Sequence, residues 1–147
     1  MKGTGNGILT LARKFYFLCL PTCSMRTKYI IKHKGMFHHI GNKIKWQPRQ
    51  FPSDPELISI GDNVKLAANV SFVTHDIISE MLNDMLHTNE FQKHQGCIQI
   101  GNNVMIGART IILPNVRIGN NCVIGGGVSS REISLTEPLQ QGYQPVR

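Results

Sequence analysis

An isoleucine recurs every six residues in the second half of the sequence, at Ile100, Ile106, Ile112, Ile118 and Ile124. Glycine follows in four of the five cases (Gly101, Gly107, Gly119, Gly125), and four residues after each isoleucine stands a small or β-branched side chain: Val104, Thr110, Val116, Cys122, Val128. A helix with about 3.6 residues per turn would smear this period around its circumference, so helix is excluded. Short strands remain. Pairs such as Val104-x-Ile106 and Val116-x-Ile118 put both apolar side chains on one face of a strand, and the glycine and polar residues that follow suit a corner.

A chain that runs a short strand, turns and repeats buries its inward row only by winding into a prism whose coils stack ~4.8 Å apart. The same lattice occurs earlier as Ile60-Gly61, Leu66-Ala67 and Phe72-Val73, with Val64 and Val70 at the small inward positions. The lattice resembles the hexapeptide-repeat pattern, in which three hexapeptides make one triangular coil, so Ile60, Leu66 and Phe72 are expected to stack under Ile100, Ile106 and Ile112. Residues 76–97 are then an excursion thrown out between coils. A less regular first coil begins at Ile40-Gly41, with Pro48, Pro52 and Pro55 at corners or edges. The expected organisation is a helical, basic cap over residues 1–35, a β-helix over 36–133 and a tail over 134–147. The cap, broken at Pro21, would cover the open end of the solenoid, which otherwise exposes unpaired strand edges. A helix lying on a membrane surface is the alternative for this segment.

Charge is uneven. Residues 1–49 hold ten Lys or Arg and no Asp or Glu, leaving six basic against nine acidic residues in the remainder of the 147. Such a segment suits a nucleic acid, an anionic membrane, a phosphate-bearing ligand or plain solvation, and composition does not choose among them. The longest aliphatic and aromatic run, Phe15 to Leu20, is far short of the ~20 residues needed to span a bilayer. The four cysteines (Cys19, Cys23, Cys97, Cys122) show no metal-site spacing, so reduced thiols in the cytoplasm are expected.

Of the six histidines, none follows Ile100, which argues against a zinc site built on neighbouring coils. No metal is expected. His75 is singled out by position: three residues past the inward Phe72, it falls on a corner where the chain leaves for the excursion. With an ordinary imidazole pKa of ~6.5, a histidine there suits proton removal from a hydroxyl; a solvated polar corner is the competing reading.

The segments Ile58-x-Ile60-Gly61-Asp62-Asn63-Val64, Asn69-Val70-Ser71-Phe72-Val73-Thr74-His75-Asp76, Ile98-x-Ile100-Gly101-Asn102-Asn103-Val104-Met105-Ile106-Gly107-Ala108 and Ile118 to Gly127 resemble the hexapeptide-repeat acetyltransferases. The maltose, galactoside and capsule or exopolysaccharide O-acetyltransferases are most similar, with serine and xenobiotic acetyltransferases as cousins. The resemblance covers roughly residues 36–133. It implies an all-β, left-handed parallel β-helix with one long loop excursion, an acetyl-CoA co-substrate, and a homotrimer with active sites between subunits. It further implies that His75 is the catalytic base and that Asn69 lines the acceptor pocket. Asp76, at the mouth of the excursion, joins Asn69 as a candidate acceptor contact. The resemblance sets the pantetheine arm along Met105, Ala108, Gly126, Ser130 and Arg131, where small residues let it lie against backbone amides.

Direct pairing of His75 with Asp76 is not expected, because neighbours on an extended chain diverge. A backbone carbonyl or a residue from another coil is the better orienting partner. The leading expectation is acetyl transfer from acetyl-CoA to a hydroxyl of a sugar or polysaccharide precursor, directly and without an acetyl-enzyme, in the cytoplasm, with no nucleic-acid partner and no stable membrane insertion. Serine or a xenobiotic alcohol as acceptor, or a non-catalytic scaffold, stays open.

Overall fold

The computed structural model describes residues 4–130. Arg131 and the tail 134–147 lie outside the described residues. Among the described residues, eleven short strands follow two helices, α1 (Thr4–Leu18) and α2 (Cys23–Lys32). The strands are β1 (His39–Ile40), β2 (Lys45–Trp46), β3 (Ile58–Ile60), β4 (Lys65–Leu66), β5 (Ser71–Phe72), β6 (Ile98–Ile100), β7 (Met105–Ile106), β8 (Ile111–Ile112), β9 (Arg117–Ile118), β10 (Val123–Ile124) and β11 (Ser129–Ser130). A third helix, α3 (Ile78–Leu86), lies in the excursion.

The strands form three parallel sheets, ordered β1-β3-β6-β9, β10-β7-β4-β2 and β11-β8-β5. Successive strands along the chain belong to different sheets, so the backbone winds around a three-sided prism. This arrangement fits a left-handed β-helix. The register sets Ile60 against Ile100, Leu66 against Ile106 and Phe72 against Ile112. The inward small residues Val64, Val70, Val104, Thr110, Val116 and Cys122 are buried between these rows. Thr110 can occupy an apolar interior because its hydroxyl donates to the carbonyls of Gly107 and Gly125. Val128, on the last described coil, is 39% exposed.

The glycine-polar-asparagine corners are explained by stacking. Lys43, Asn63, Asn103 and Asn121 occupy one corner with φ of 55° to 57°, a left-handed conformation that asparagine tolerates better than most residues. Each coil there is tied to the next through amides: Asn63 Nδ2 donates to Asn103 Oδ1 at 3.0 Å, and Asn103 Nδ2 to Asn121 Oδ1 at 2.9 Å. One residue earlier, the side-chain oxygens of Asp62, Asn102 and Asn120 each accept from the backbone N–H of the coil before (Asn42, Asp62 and Asn102).

At the N-terminal end an aromatic plug closes the prism. Trp46 stacks on Phe72 with ring centroids 5.6 Å apart, Phe37 meets Trp46 and Phe51 edge-on, and Phe17 of α1 meets Phe51. β2 would otherwise be an open edge. Here α2 satisfies it: Thr27 Oγ1 accepts from the Trp46 N–H and the Cys23 thiol donates to the Trp46 carbonyl.

The all-β expectation describes the solenoid and understates the helix, which runs to 15, 10 and 9 residues in α1, α2 and α3. Ile78, Met81, Leu82, Met85 and Leu86 recur at helical spacing along α3, although Ile78, Met81, Met85 and Leu86 stay more than half exposed, and the Asp76 carboxylate accepts from the Ile78 N–H at the first turn. Among the described residues no helix is long and apolar enough to cross a membrane.

Candidate active site

Three segments meet at the corner where β5 hands over to β6. The first coil lacks a strand on this side; in its place runs the proline-punctuated stretch that carries Asp54 and a short 3-10 turn at Pro55–Leu57. One coil on, Thr74 and His75 follow β5 and lead into the excursion. The returning chain closes the base, with His75 bridged antiparallel to Gln95 and the Gly96 N–H donating to the Thr74 carbonyl at 2.8 Å. Gly96 is required by closeness: a Cβ there would sit 2.6 Å from Asn115 Oδ1 and 2.7 Å from Pro114 Cβ.

The imidazole is held by Asp54. His75 Nδ1 lies 2.7 Å from Asp54 Oδ2, and the hydroxyl of buried Thr74 donates to the same oxygen. The two paired side chains are 27% and 20% exposed, so the hydrogen bond lies at a partly sheltered corner that opens to solvent. Burial works to raise the Asp54 pKa, but the hydrogen bonds from Thr74 and His75, with the charges of His75 and Lys93, outweigh it and hold the carboxyl below its ordinary value. An ionised carboxylate only accepts, so Nδ1 is the donor to Asp54 and Nε2 is the ring nitrogen turned away from it.

Asp54 was not singled out by sequence. It is the partner of the imidazole from another coil, whereas the Asp76 carboxylate turns to the Ile78 N–H at the start of α3. The signal was faint: Asp54 lies 21 residues before His75, close to one coil, but the first coil is irregular. Asn69 is an exposed corner residue between β4 and β5 with φ 58°.

The other sequence candidates gather elsewhere. Met105 points outward on β7, half exposed, with Lys65 and Val123 beside it in the ladder. Ala108 and Gly126 stack in consecutive coils on the corner between the second and third sheets: the Gly127 N–H donates to the Ala108 carbonyl, and a Cβ on Gly126 would come within 2.9 Å of that oxygen. Both residues are exposed, so their backbone is open to a ligand chain. Ser130 is the last described residue, paired with Ile112 in the third sheet. Arg117 on β9 donates through Nε to Gln99 Oε1 at 2.9 Å. His75 and the Ala108–Gly126 strip therefore stand on different corners of one prism, with the third sheet between them. Among the described residues no group of three or more His, Cys, Asp or Glu is placed to hold a metal ion.

Comparison with known families matches residues 97–129 to the "Bacterial transferase hexapeptide (six repeats)" family and residues 58–73 to the "Hexapeptide repeat of succinyl-transferase" family. Galactoside O-acetyltransferase of Escherichia coli (strain K12) is 40% identical over 74 residues, 50% of this chain and 34% of that protein. The chain carries the hexapeptide repeat of bacterial transferases over these two stretches. A second relative, the YvoF protein of Bacillus subtilis (strain 168), is 36% identical over 73 residues, 50% of this chain and 36% of that protein. The chain thus spans about a third of the length of the curated relatives it matches. A maltose O-acetyltransferase from Clostridium difficile 630 shares the fold, with a TM-score of 0.57 and 24% identity over 86% of this chain and 75% of that one. The two matches cover the repeat; residues 58–73 stop short of His75, and Asp54 also lies outside both.

Proposed function

We propose that the chain transfers the acetyl group of acetyl-CoA to a hydroxyl of a sugar or polysaccharide precursor, with His75 as general base. His75 Nε2 takes the proton of the acceptor hydroxyl as its oxygen attacks the thioester carbonyl carbon. The C–S bond then breaks, and the imidazolium returns its proton to the departing thiolate, giving an acetyl ester and free CoA thiol. No covalent acetyl-enzyme is required. Asp54 stabilises the imidazolium and keeps the ring in the one tautomer that leaves Nε2 free.

The observation that carries this reading is the Asp54–His75 pair at 2.7 Å on a corner of a hexapeptide solenoid. The relatives add a class of acceptor, since the one from Escherichia coli is named for galactosides and the one from Clostridium difficile for maltose. Along Met105, Ala108 and Gly126 the chain offers a half-exposed thioether, a methyl and a bare backbone, against which a pantetheine arm can lie with its amides paired; Ser130 and Arg131 join the same proposal by resemblance alone. Asn69 and Asp76 stand at the acceptor end of the same proposal. Because the base and the strip occupy different corners, a complete site needs two chains, one giving His75 and the other the strip. A homotrimer acting in the cytoplasm meets that need.

Acetyl-CoA consumption tested against galactosides, maltose, serine and chloramphenicol-like alcohols decides the acceptor class. Turnover confined to sugars supports the reading; turnover on serine or an antibiotic alcohol alone replaces the acceptor, and none on any of them removes the activity.

A further inference from the structure

The cap carries a surface that acetyl transfer does not use. Phe17 of α1 is fully buried, yet Leu11, Phe15 and Leu18 of the same helix, spaced four and three residues apart, are 70%, 69% and 54% exposed. That spacing places them on one face, an apolar stripe pointing away from the core. On one flank of the stripe a groove of about 590 Å³ runs between α1 and residues 49–51, lined by the stripe itself and Phe51, with Lys14 and Arg49 at its edge. On the other flank a second groove of about 590 Å³ lies between α1 and α2, where Tyr16, Leu20 and Met25 alternate with Arg13, Lys28 and Lys32.

Among the described residues every charged side chain lining the two grooves is cationic, and residues 1–49 contain no Asp or Glu at all. A second copy docking here through the same face would bring like charge against like, which disfavours self-association. The complementary partner is anionic and at the same time apolar. An anionic bilayer has both properties, and two open grooves on either side of one helix suit mobile acyl chains, whereas a folded acidic protein presents one fixed shape. We propose that the α1–α2 cap docks on a surface of anionic phospholipid: Leu11, Phe15 and Leu18 enter the boundary between headgroups and acyl chains, and Lys14, Lys28, Lys32 and Arg49 pair with the phosphates. The docking is peripheral, since no described helix can span the bilayer.

Co-sedimentation of the full chain with phosphatidylcholine vesicles, with and without phosphatidylglycerol, tests this. The chain is expected to bind the phosphatidylglycerol vesicles at least about tenfold more tightly than the neutral ones, and to lose that preference at about 0.5 M salt. The paired changes Phe15→Ser and Leu18→Ser, both at exposed positions, weaken binding to the anionic vesicles by at least about tenfold with the circular dichroism spectrum unchanged. Lys28→Glu with Lys32→Glu does the same by removing charge, and carries the test if the serine pair fails to fold. No binding to anionic vesicles, equal binding to both kinds, or undiminished binding by these variants overturns the proposal. So does a smaller oligomer in the serine variant, which would mean that another copy covers the stripe.

Discussion

Asp54 and His75 lie 21 residues apart in sequence and 2.7 Å apart in space. One coil of the solenoid separates them, so they share a corner while belonging to successive turns of the winding. Thr74 adds a second donor to the same carboxylate oxygen. The pair is thus held by the stacking of coils and by the buried Thr74 hydroxyl together, which keeps the Nδ1 edge of the imidazole turned to the carboxylate.

Asp54→Asn tests the role of that carboxylate. The amide keeps the volume but carries both a donor and an acceptor, so it no longer dictates that Nδ1 holds the proton. Steady-state kinetics should show kcat lower by about 10²-fold, with KM for acetyl-CoA little changed. A structural role alone would lower the melting temperature and leave kcat per folded molecule intact.

The depressed pKa of Asp54 has a consequence for acid stability. Because the folded state holds the carboxyl below its ordinary 3.8, ionised Asp54 favours the fold at every pH above that value, and the contribution is lost as pH falls through the depressed folded pKa. Urea midpoints measured down through this acid window should therefore fall more steeply for the wild type than for Asp54→Asn. Parallel curves would contradict the assignment.

Gly96→Ala should disturb the base of the excursion. Its Cβ would meet Asn115 and Pro114 at 2.6 to 2.7 Å, so the returning chain must move away from the corner beneath it. A loss of ~1–3 kcal/mol in urea unfolding is expected, together with lower turnover, because the neighbouring Gln95 bridges to His75. Gly35→Ala is the control: nothing lies within 4 Å of the added carbon, and its effect should stay within about 0.5 kcal/mol.

Ile106→Ala probes the ladder itself. The side chain is fully buried between Leu66 and Ile124 in the second sheet, and neither neighbour can collapse into the space without breaking register. Unfolding should cost about 2–5 kcal/mol less than in the wild type, read from urea or thermal melts.

The isoleucine ladder was legible because a period of six is incompatible with helix and each repeat carries its own inward pair. The stacking of Ile60 on Ile100 across the excursion follows from the shared phase of the two blocks. α3 was missed, although Ile78, Met81, Leu82, Met85 and Leu86 carry a helical period, because the segment was read only as a departure from the lattice. Asp54 was missed for a different reason. The register pairs Ile40 with Ile60, twenty residues on, so the first coil slips against the eighteen-residue period and its corner positions cannot be counted from sequence. The amide ladders through Asn63, Asn103 and Asn121 likewise exist only once coils are stacked; from the sequence these residues show as corners and no more.

His75→Ala, assayed for release of CoA thiol from acetyl-CoA with the preferred acceptor, tests the account most directly. Turnover should drop by about 10²- to 10⁴-fold while calorimetry shows CoA binding close to that of the wild type, since the imidazole and the Ala108–Gly126 strip occupy different corners. Wild-type turnover in this variant would mean that another group removes the hydroxyl proton and that the Asp54–His75 pair is structural.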